Sequence, residues 1–435
     1  MVAAERVVVM GGGFAGVACA QALGDEGVSV TLIDRNTYHQ FQPLLYQVAT
    51  AQLAPGDVMQ PLRGLFRKQA TVAVKQATVT GIDPVTRTVT TATGQSFSGD
   101  HLVLATGSRP NFFGVPGAEE HAFPLYGAAD AEALRNRILG LFEDADLDPA
   151  RLDQGALTFV VVGGGPTGVE TAGALADLVF TIMPDRYRDL DVDRARIHLV
   201  DHGATLLKPF SSSAHAYAAR ALEGKGVHLM LESSVSEVAA DSVLLADGTR
   251  IPTHCVVWAG GLQAGSVPGM DVLPRGPAGR ISVDAALSVD GFPGVYAVGD
   301  VADATDADGE PYPQLGSVAL QAGQAVAMSI LAAIEGEPVP AFDYRDKGIM
   351  AMIGRGAAIA EVGPRHLELH GSIARGAWLA VHAWLLGPSQ ARAKTLVSWA
   401  WNTLSESRGA AIVDDPDAPG IDWGDQGDGD ERADA

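Results

Sequence analysis

The chain has 435 residues, 47% hydrophobic and 19% charged, with 51 glycines and a formal net charge of -22. This length and apolar content support more than one packed domain and exclude collagen-like or wholly disordered chains. The acid excess excludes a general nucleic-acid binder, which needs surplus Lys and Arg against phosphates.

In chain order, Arg6–Met10 is a β-branched run entering Gly11-Gly12-Gly13-Phe14-Ala15-Gly16 and then an Ala-rich helical segment to Leu23. No signal peptide is expected ahead of it. A second strand, Val28–Ile33, ends at Asp34. Thr71–Phe97 alternates β-branched and polar residues around turn signals, the pattern of an antiparallel meander. The opening then recurs. Leu157–Val162 runs into Gly163-Gly164-Gly165-Pro166-Thr167-Gly168 and a helix, and the strand Ala195–Val200 ends at Asp201. The polar segment Thr181–Arg194 reads as an insertion between the two. Further strand-to-loop junctions lie at Val256–Gly260 and Gly294–Asp300. Val318–Ile334 is apolar but interrupted by Gln321, Gly323, Gln324 and Ser329, so it reads as a helix buried in protein, not a membrane span. Residues 341–412 are mixed, and 413–435 form an acidic tail with almost nothing apolar, expected to be disordered.

A GxGxxG loop works because glycine lets the backbone approach a pyrophosphate, while the helix behind it offers unpaired N–H groups and a favourable dipole. An acid closing the next strand accepts hydrogen bonds from ribose hydroxyls. One such motif is weak; two copies, each followed by a strand ending in Asp, predict an α/β chain with two Rossmann-like dinucleotide-binding domains. Hydride transfer needs two carriers, a bound flavin and a docking nicotinamide. Asp201 favours NADH over NADPH because a carboxylate repels a 2′-phosphate, an inference softened by the adjacent His202. Cys19 and Cys255 form no dithiol or zinc site and point to a reducing compartment; no metal is expected.

Three segments carry a family resemblance: Asn36–Thr50, with Gln42-Pro43-Leu44-Leu45; Thr158–Glu170; and Tyr344-Arg345-Asp346-Lys347-Gly348. Ala105-Thr106-Gly107 and Val298-Gly299-Asp300 are more general. Over residues 1–410 the chain resembles type II NADH dehydrogenases, single-subunit, FAD-containing NADH:quinone oxidoreductases. The resemblance implies that Gly11, Gly13, Phe14, Ala15, Gly16 and Asp34 hold the FAD adenosine half. It sets Asp300, after Gly299, on the ribityl chain and Gln42, Pro43 and Leu44 along the isoalloxazine. Arg35, Thr106 and Gly107 line the same cofactor. For Phe41, Leu44 and Leu45 ordinary core is an equal alternative, and for Asp300 the alternative is a surface turn acid. Gly163, Gly165, Pro166, Thr167, Gly168 and Asp201 fall to NADH. Glu170, Lys347 and Gln321 match positions near flavin and quinone, with Glu170 and Lys347 either an acid–base pair or a structural ion pair. One departure stands out: Ser317 replaces the first of two glutamines, four apart, on the family's quinone-site helix, while Gln321 keeps the second.

The pieces Trp378–Leu386 and Thr395–Trp401 hold four of the six tryptophans, flanked by Arg375, Arg392, Lys394 and Arg408, a composition suited to a membrane interface. The family's C-terminal anchoring implies the same use, for residues 371–408. A homodimer interface or a cover for the core are the competing readings. The expected domains are 1–120 with 276–340 for FAD, 151–275 for NADH, 341–412 for membrane contact, and the 413–435 tail. The function implied is a non-proton-pumping NADH:quinone oxidoreductase, cytoplasmic and peripheral on the inner face of the cell membrane. A soluble NAD(P)H-dependent flavin reductase or a slow flavoprotein sensor are the alternatives.

Overall fold

Two glycine-loop units each build a five-stranded parallel sheet, because a strand, a tight loop and a returning helix repeat in both. The computed structural model describes residues 5–363, 365–387, 389–405, 408–412, 421 and 423. Of the acidic tail, only Ile421 and Trp423 therefore fall among the described residues. Contacts divide the chain into one unit of residues 1–41, 59–111 and 262–346, and another of 42–58, 112–261 and 347–435.

In the first unit the sheet order is Val295–Ala297, His101–Leu104, Arg6–Met10, Ser29–Asp34 and Val72–Gln76. Val72–Gln76 thus joins the parallel sheet, and the expected meander shortens to Val79–Asp83, Thr88–Thr91 and Ser96–Ser98. Period-2 alternation marks a strand but not its neighbour, so the sequence pattern merged the two. Leu262–Ala264 pairs antiparallel with Ser108–Pro110, which carries residues after 261 into this unit.

The helix Gly316–Glu335 is long and apolar enough to cross a membrane by length and composition, yet it packs on Phe14–Asp25. Val318, Ala322, Val326 and Ile330 face the core, and a Cβ on Gly323 would overlap the Ala15 carbonyl oxygen. Its glycine is what lets the two helices approach so closely.

In the second unit the order is Ala122–Pro124, Cys255–Trp258, Thr158–Val162, Arg196–Val200 and Val227–Met230. The Thr181–Arg194 segment extends the loop helix through a wider π-type turn at Leu178–Ile182, a short helix at Met183–Arg186 and a 3-10 turn at Val192–Arg194. Residues 347–405 form an antiparallel sheet, Gly348–Gly354, Ala357–Val362 and Leu367–His370, then helices Gly371–Leu385 and Ser389–Leu404. The 42–58 segment also belongs here. Its helix Leu45–Ala49 packs on Ala128–Leu147 and Pro166–Asp177, so its partners differ from those the expected 1–120 boundary supposes. Trp423 docks on this unit as well. Its indole N–H donates to Asp144 at 2.9 Å, Arg151 lies 4.7 Å over its ring, and His254 stands 4.4 Å away.

Candidate active site

The two glycine loops are built on one plan. Gly11 has φ +113° and Gly163 φ +111°, and a Cβ at either would overlap a facing carbonyl oxygen, that of Ala105 or Ala259. Gly16 and Gly168 would each drive a Cβ into the carbonyl oxygen of the loop's own first glycine. Gly13 and Gly165 stand at the helix starts with nothing within 4 Å of a Cβ position, and no side chain caps either helix. The first-turn N–H groups are thereby left for an anion.

Each closing acid grips its loop. Asp34 accepts from the Gly12 N–H at 2.6 Å and from the Asn36 N–H at 2.7 Å. Asp201 accepts from Gly164 and from Gly203, both at 2.6 Å. A carboxylate offers about four lone-pair sites, so capacity remains for ribose hydroxyls. His202 is a surface neighbour, its ring nitrogen 3.9 Å from Asp201.

In the first unit Asp300 accepts from the Ser108 hydroxyl at 2.9 Å. Burial pushes its carboxyl above the usual range, with Ser108 and Arg280 opposing. Asp300 is half-buried, which is not the setting of a surface turn acid. Gly299 before it has φ +73° and brings the backbone against Ala15. Thr106 donates to the Gly265 carbonyl at 3.2 Å, beside Gly107 at φ +65°. Arg35 is exposed, its carbonyl accepting from Gln76. His39, missed by sequence reasoning, sits with Nδ1 3.0 Å from the Gly12 carbonyl and its ring edge-on to Phe14. It braces the loop from behind.

In the second unit Gln42 donates to the Tyr126 carbonyl at 3.3 Å, and Pro43 is half-buried beside it. Leu44 and Leu45 are buried within the protein. Glu170 is buried on the loop helix and accepts from the Met352 N–H at 3.0 Å. Burial pushes its carboxyl up to about 8, with Met352 and the Trp378 indole acting the other way. Lys347 is exposed instead, its Nζ 5.9 Å from the Trp384 ring centre. No ion pair joins Glu170 and Lys347 among the described residues, so the expected pairing of the two is not formed.

Ser317 and Gln321, one turn apart, both hold the segment before Lys347. The Ser317 hydroxyl lies 2.9 Å from the Tyr344 hydroxyl. The Gln321 amide binds the Arg345 backbone twice, donating and accepting at 3.1 Å. The serine is therefore a structural partner of Tyr344, a role that its identity alone did not reveal.

Cys19 and Cys255 are buried in different units, with burial pushing both thiols up to about 12. Neither is a redox thiol. Among the described residues no cluster of three metal-ligating side chains occurs.

Residues 5–323 match the family model described as pyridine nucleotide-disulphide oxidoreductase. The chain is 37% identical to the Type II NADH:quinone oxidoreductase Ndh of Mycobacterium tuberculosis, over 95% of this chain and 91% of that protein. A second protein of that organism, Type II NADH:quinone oxidoreductase NdhA, is 34% identical over 94% of this chain and 89% of its own length. Among solved structures, NDH2 from Plasmodium falciparum in complex with NADH shares the fold at a TM-score of 0.86 and 18% identity, covering 94% of this chain and 99% of that one. The chain belongs to the type II NADH:quinone oxidoreductase family, within the pyridine nucleotide-disulphide oxidoreductases.

Proposed function

We propose that this chain is a non-proton-pumping NADH:quinone oxidoreductase with FAD as its bound cofactor: NADH, a proton and a quinone become NAD⁺ and a quinol. FAD supplies a carrier that takes a hydride from NADH and passes two electrons to the quinone. The chain's own residues fit such a group. The uncapped helix start behind Gly13 suits a pyrophosphate, Asp34 keeps capacity for ribose hydroxyls, and the Asp300 carboxyl suits a polyol. The second loop, with Pro166, Thr167 and Asp201, holds NADH, and the Asp201 carboxylate disfavours a 2′-phosphate.

The observation that carries the quinone half of the reading is Glu170. A carboxyl pushed up to about 8 keeps its proton near neutral pH, where quinol formation consumes protons. Lys347 and Gln321 serve at the acceptor end as an exposed cation and the anchor of the segment before it.

The test is anaerobic. NADH added to the yellow protein is expected to bleach the flavin absorbance quickly, and a soluble quinone to restore it quickly. Fast bleaching without recovery would leave an NADH-oxidising reductase for another acceptor. Slow bleaching with both NADH and NADPH would leave the sensor reading.

We further propose that residues 371–408 place the enzyme peripherally on the cytoplasmic face of the membrane. Each C-terminal helix turns a tryptophan outward, Trp384 at 65% and Trp401 at 61% exposure, among exposed Ile373, Val381, Leu396 and Val397. A Trp384→Ser/Trp401→Ser double variant is expected to lose about tenfold or more in vesicle co-sedimentation, with its flavin retained. Unchanged pelleting would remove these helices from the lipid interface.

A further inference from the structure

In the second unit Thr158–Val162 lies between Arg196–Val200 on one side and Cys255–Trp258 on the other, all parallel. Strand order therefore reverses between Thr158–Val162 and Cys255–Trp258, and a dinucleotide binds across such a crevice, outside the carboxyl ends of the strands. The Gly163 loop leaves one of these strands and Ala259-Gly260-Gly261 the other. A Cβ on Gly163 would overlap the Ala259 carbonyl oxygen and come within 3.0 Å of the Gly260 nitrogen. The first unit has the same plan, with Gly11 against Ala105 and Thr106. Over Gly261 stands Phe113. Its ring is 3.0 Å from the place of a Cβ on that glycine, whose φ of +148° side chains rarely allow. Phe113 is 64% exposed. The Val115 N–H donates to the Phe112 carbonyl at 2.9 Å, and the two residues between them have φ +52° and +69°, the mark of a type I′ turn. Such a turn takes Asn-Gly by preference, and a bulky residue at its first central position is strained. Phe112 secures the turn from within, its ring 5.6 Å from that of Trp258. Strain is thus borne at the tip of the turn to hold an aromatic ring outward, and strain of this kind clusters at ligand clamps.

We propose that Phe113 is a binding residue for NADH, its ring forming a wall for the nicotinamide half. This rests on the assignment of the second loop to NADH. On that assignment Asp201, closing Arg196–Val200, takes the adenosine ribose on one side of the Gly163 loop. The pyrophosphate belongs at the uncapped start of Pro166–Asp177. With those two parts held, the rest of the dinucleotide continues away from Asp201 and across the end of Cys255–Trp258, where Gly261 and Phe113 stand. A nicotinamide ring is flat and has a π face, so an aromatic side chain holds it by stacking or edge contact. The 2′-phosphate that separates NADPH from NADH is on the adenosine side. Phe113 therefore serves both nucleotides alike, whereas Asp201 tells them apart.

The experiment titrates the oxidised holoenzyme by equilibrium dialysis with NAD⁺ and, separately, with ADP-ribose, which lacks the nicotinamide. Phe113→Asn removes the ring and supplies the residue that a type I′ turn favours, so the fold is expected to be kept. Its affinity for NAD⁺ is expected to fall about tenfold, within the range for one ring stacked on an aromatic side chain, while that for ADP-ribose stays within about twofold. Phe113→Tyr, which restores the ring, is expected to bind NAD⁺ within about twofold of the parent. An equal loss of both ligands in Phe113→Asn, or no loss of either, would overturn the proposal. Should that variant lose its flavin, Phe113→Gly, which also relaxes the turn, is expected to give the same split between the ligands; no split there would overturn the proposal equally. Gly168→Ala separates the two levels. Parental binding of both ligands in that variant defeats the loop assignment itself, whereas loss of both there with no split at Phe113 defeats only the role of the ring.

Discussion

Glu170→Gln is expected to leave NADH-dependent bleaching within about twofold of the parent and to slow quinone-dependent recovery by about 100-fold or more, the range for losing a general acid. Glutamine keeps the shape and can still accept the Met352 N–H, so the change removes the proton and little else. The same substitution has a second signature in stability. The carboxyl titrates at about 8 in the fold against 4.5 in its ordinary state. Between those values the folded protein holds a proton that the unfolded chain has released. Stability of the parent therefore falls as pH rises through this window and levels off above it. The glutamine variant lacks that slope, so its melting temperature gains on the parent's from about pH 5 to about pH 8. A constant difference across the window would show that Glu170 is ionised in the fold and would end its role as a proton source.

The sequence made the glycine loops legible because their constraint is local. A backbone that must pass a carbonyl oxygen at Gly11 and Gly163 tolerates no Cβ, and that demand fixes residue type at fixed spacing. Asp34 and Asp201 followed because a strand end is equally local. The surroundings of Glu170 were not legible in the same way. Glu170 is buried, and its hydrogen-bond donor Met352 lies far along the chain and meets it only through packing. Had helical spacing been applied to the tryptophans, it would have separated the inner from the outer ones. Residues 378 and 384 are six apart, and 399 and 401 two apart, so neither pair shares a face. The composition of the segment marked an interface, while the spacing also held the sign that half of its tryptophans point into the protein.

The pairing of Ser317 with Tyr344 follows the same logic. A glutamine amide could reach past that position; a serine hydroxyl is short and stays with the phenol 2.9 Å away. Gln321 then shares with it the task of fixing the chain just ahead of Lys347. The departure from the family pattern thus alters how the segment ahead of Lys347 is held.

The second large effect distinguishes the two loops by what each one loses. Gly16→Ala is expected to yield protein with less than about one tenth of its flavin, because the new Cβ overlaps the Gly11 carbonyl oxygen and forces the loop off the helix start. Gly168→Ala meets the same obstacle at Gly163, yet its protein is expected to stay yellow and to be bleached by dithionite. Bleaching by NADH should slow at least about 100-fold, since the backbone can no longer close on a dinucleotide there. Asp201→Ala refines the assignment. Losing hydrogen bonds from a charged acceptor to ribose costs about 1.5–3 kcal/mol, so KM for NADH should rise more than about tenfold while that for NADPH changes little. The Gly164 and Gly203 amides also lose their shared acceptor, and a lower melting temperature is expected alongside. Equal effects on NADH and NADPH would take Asp201 out of the ribose site. A colourless Gly168→Ala beside a yellow Gly16→Ala that NADH cannot reduce would exchange the two loops, because the nearly identical backbone geometry of the pair leaves their assignment to the side chains around them.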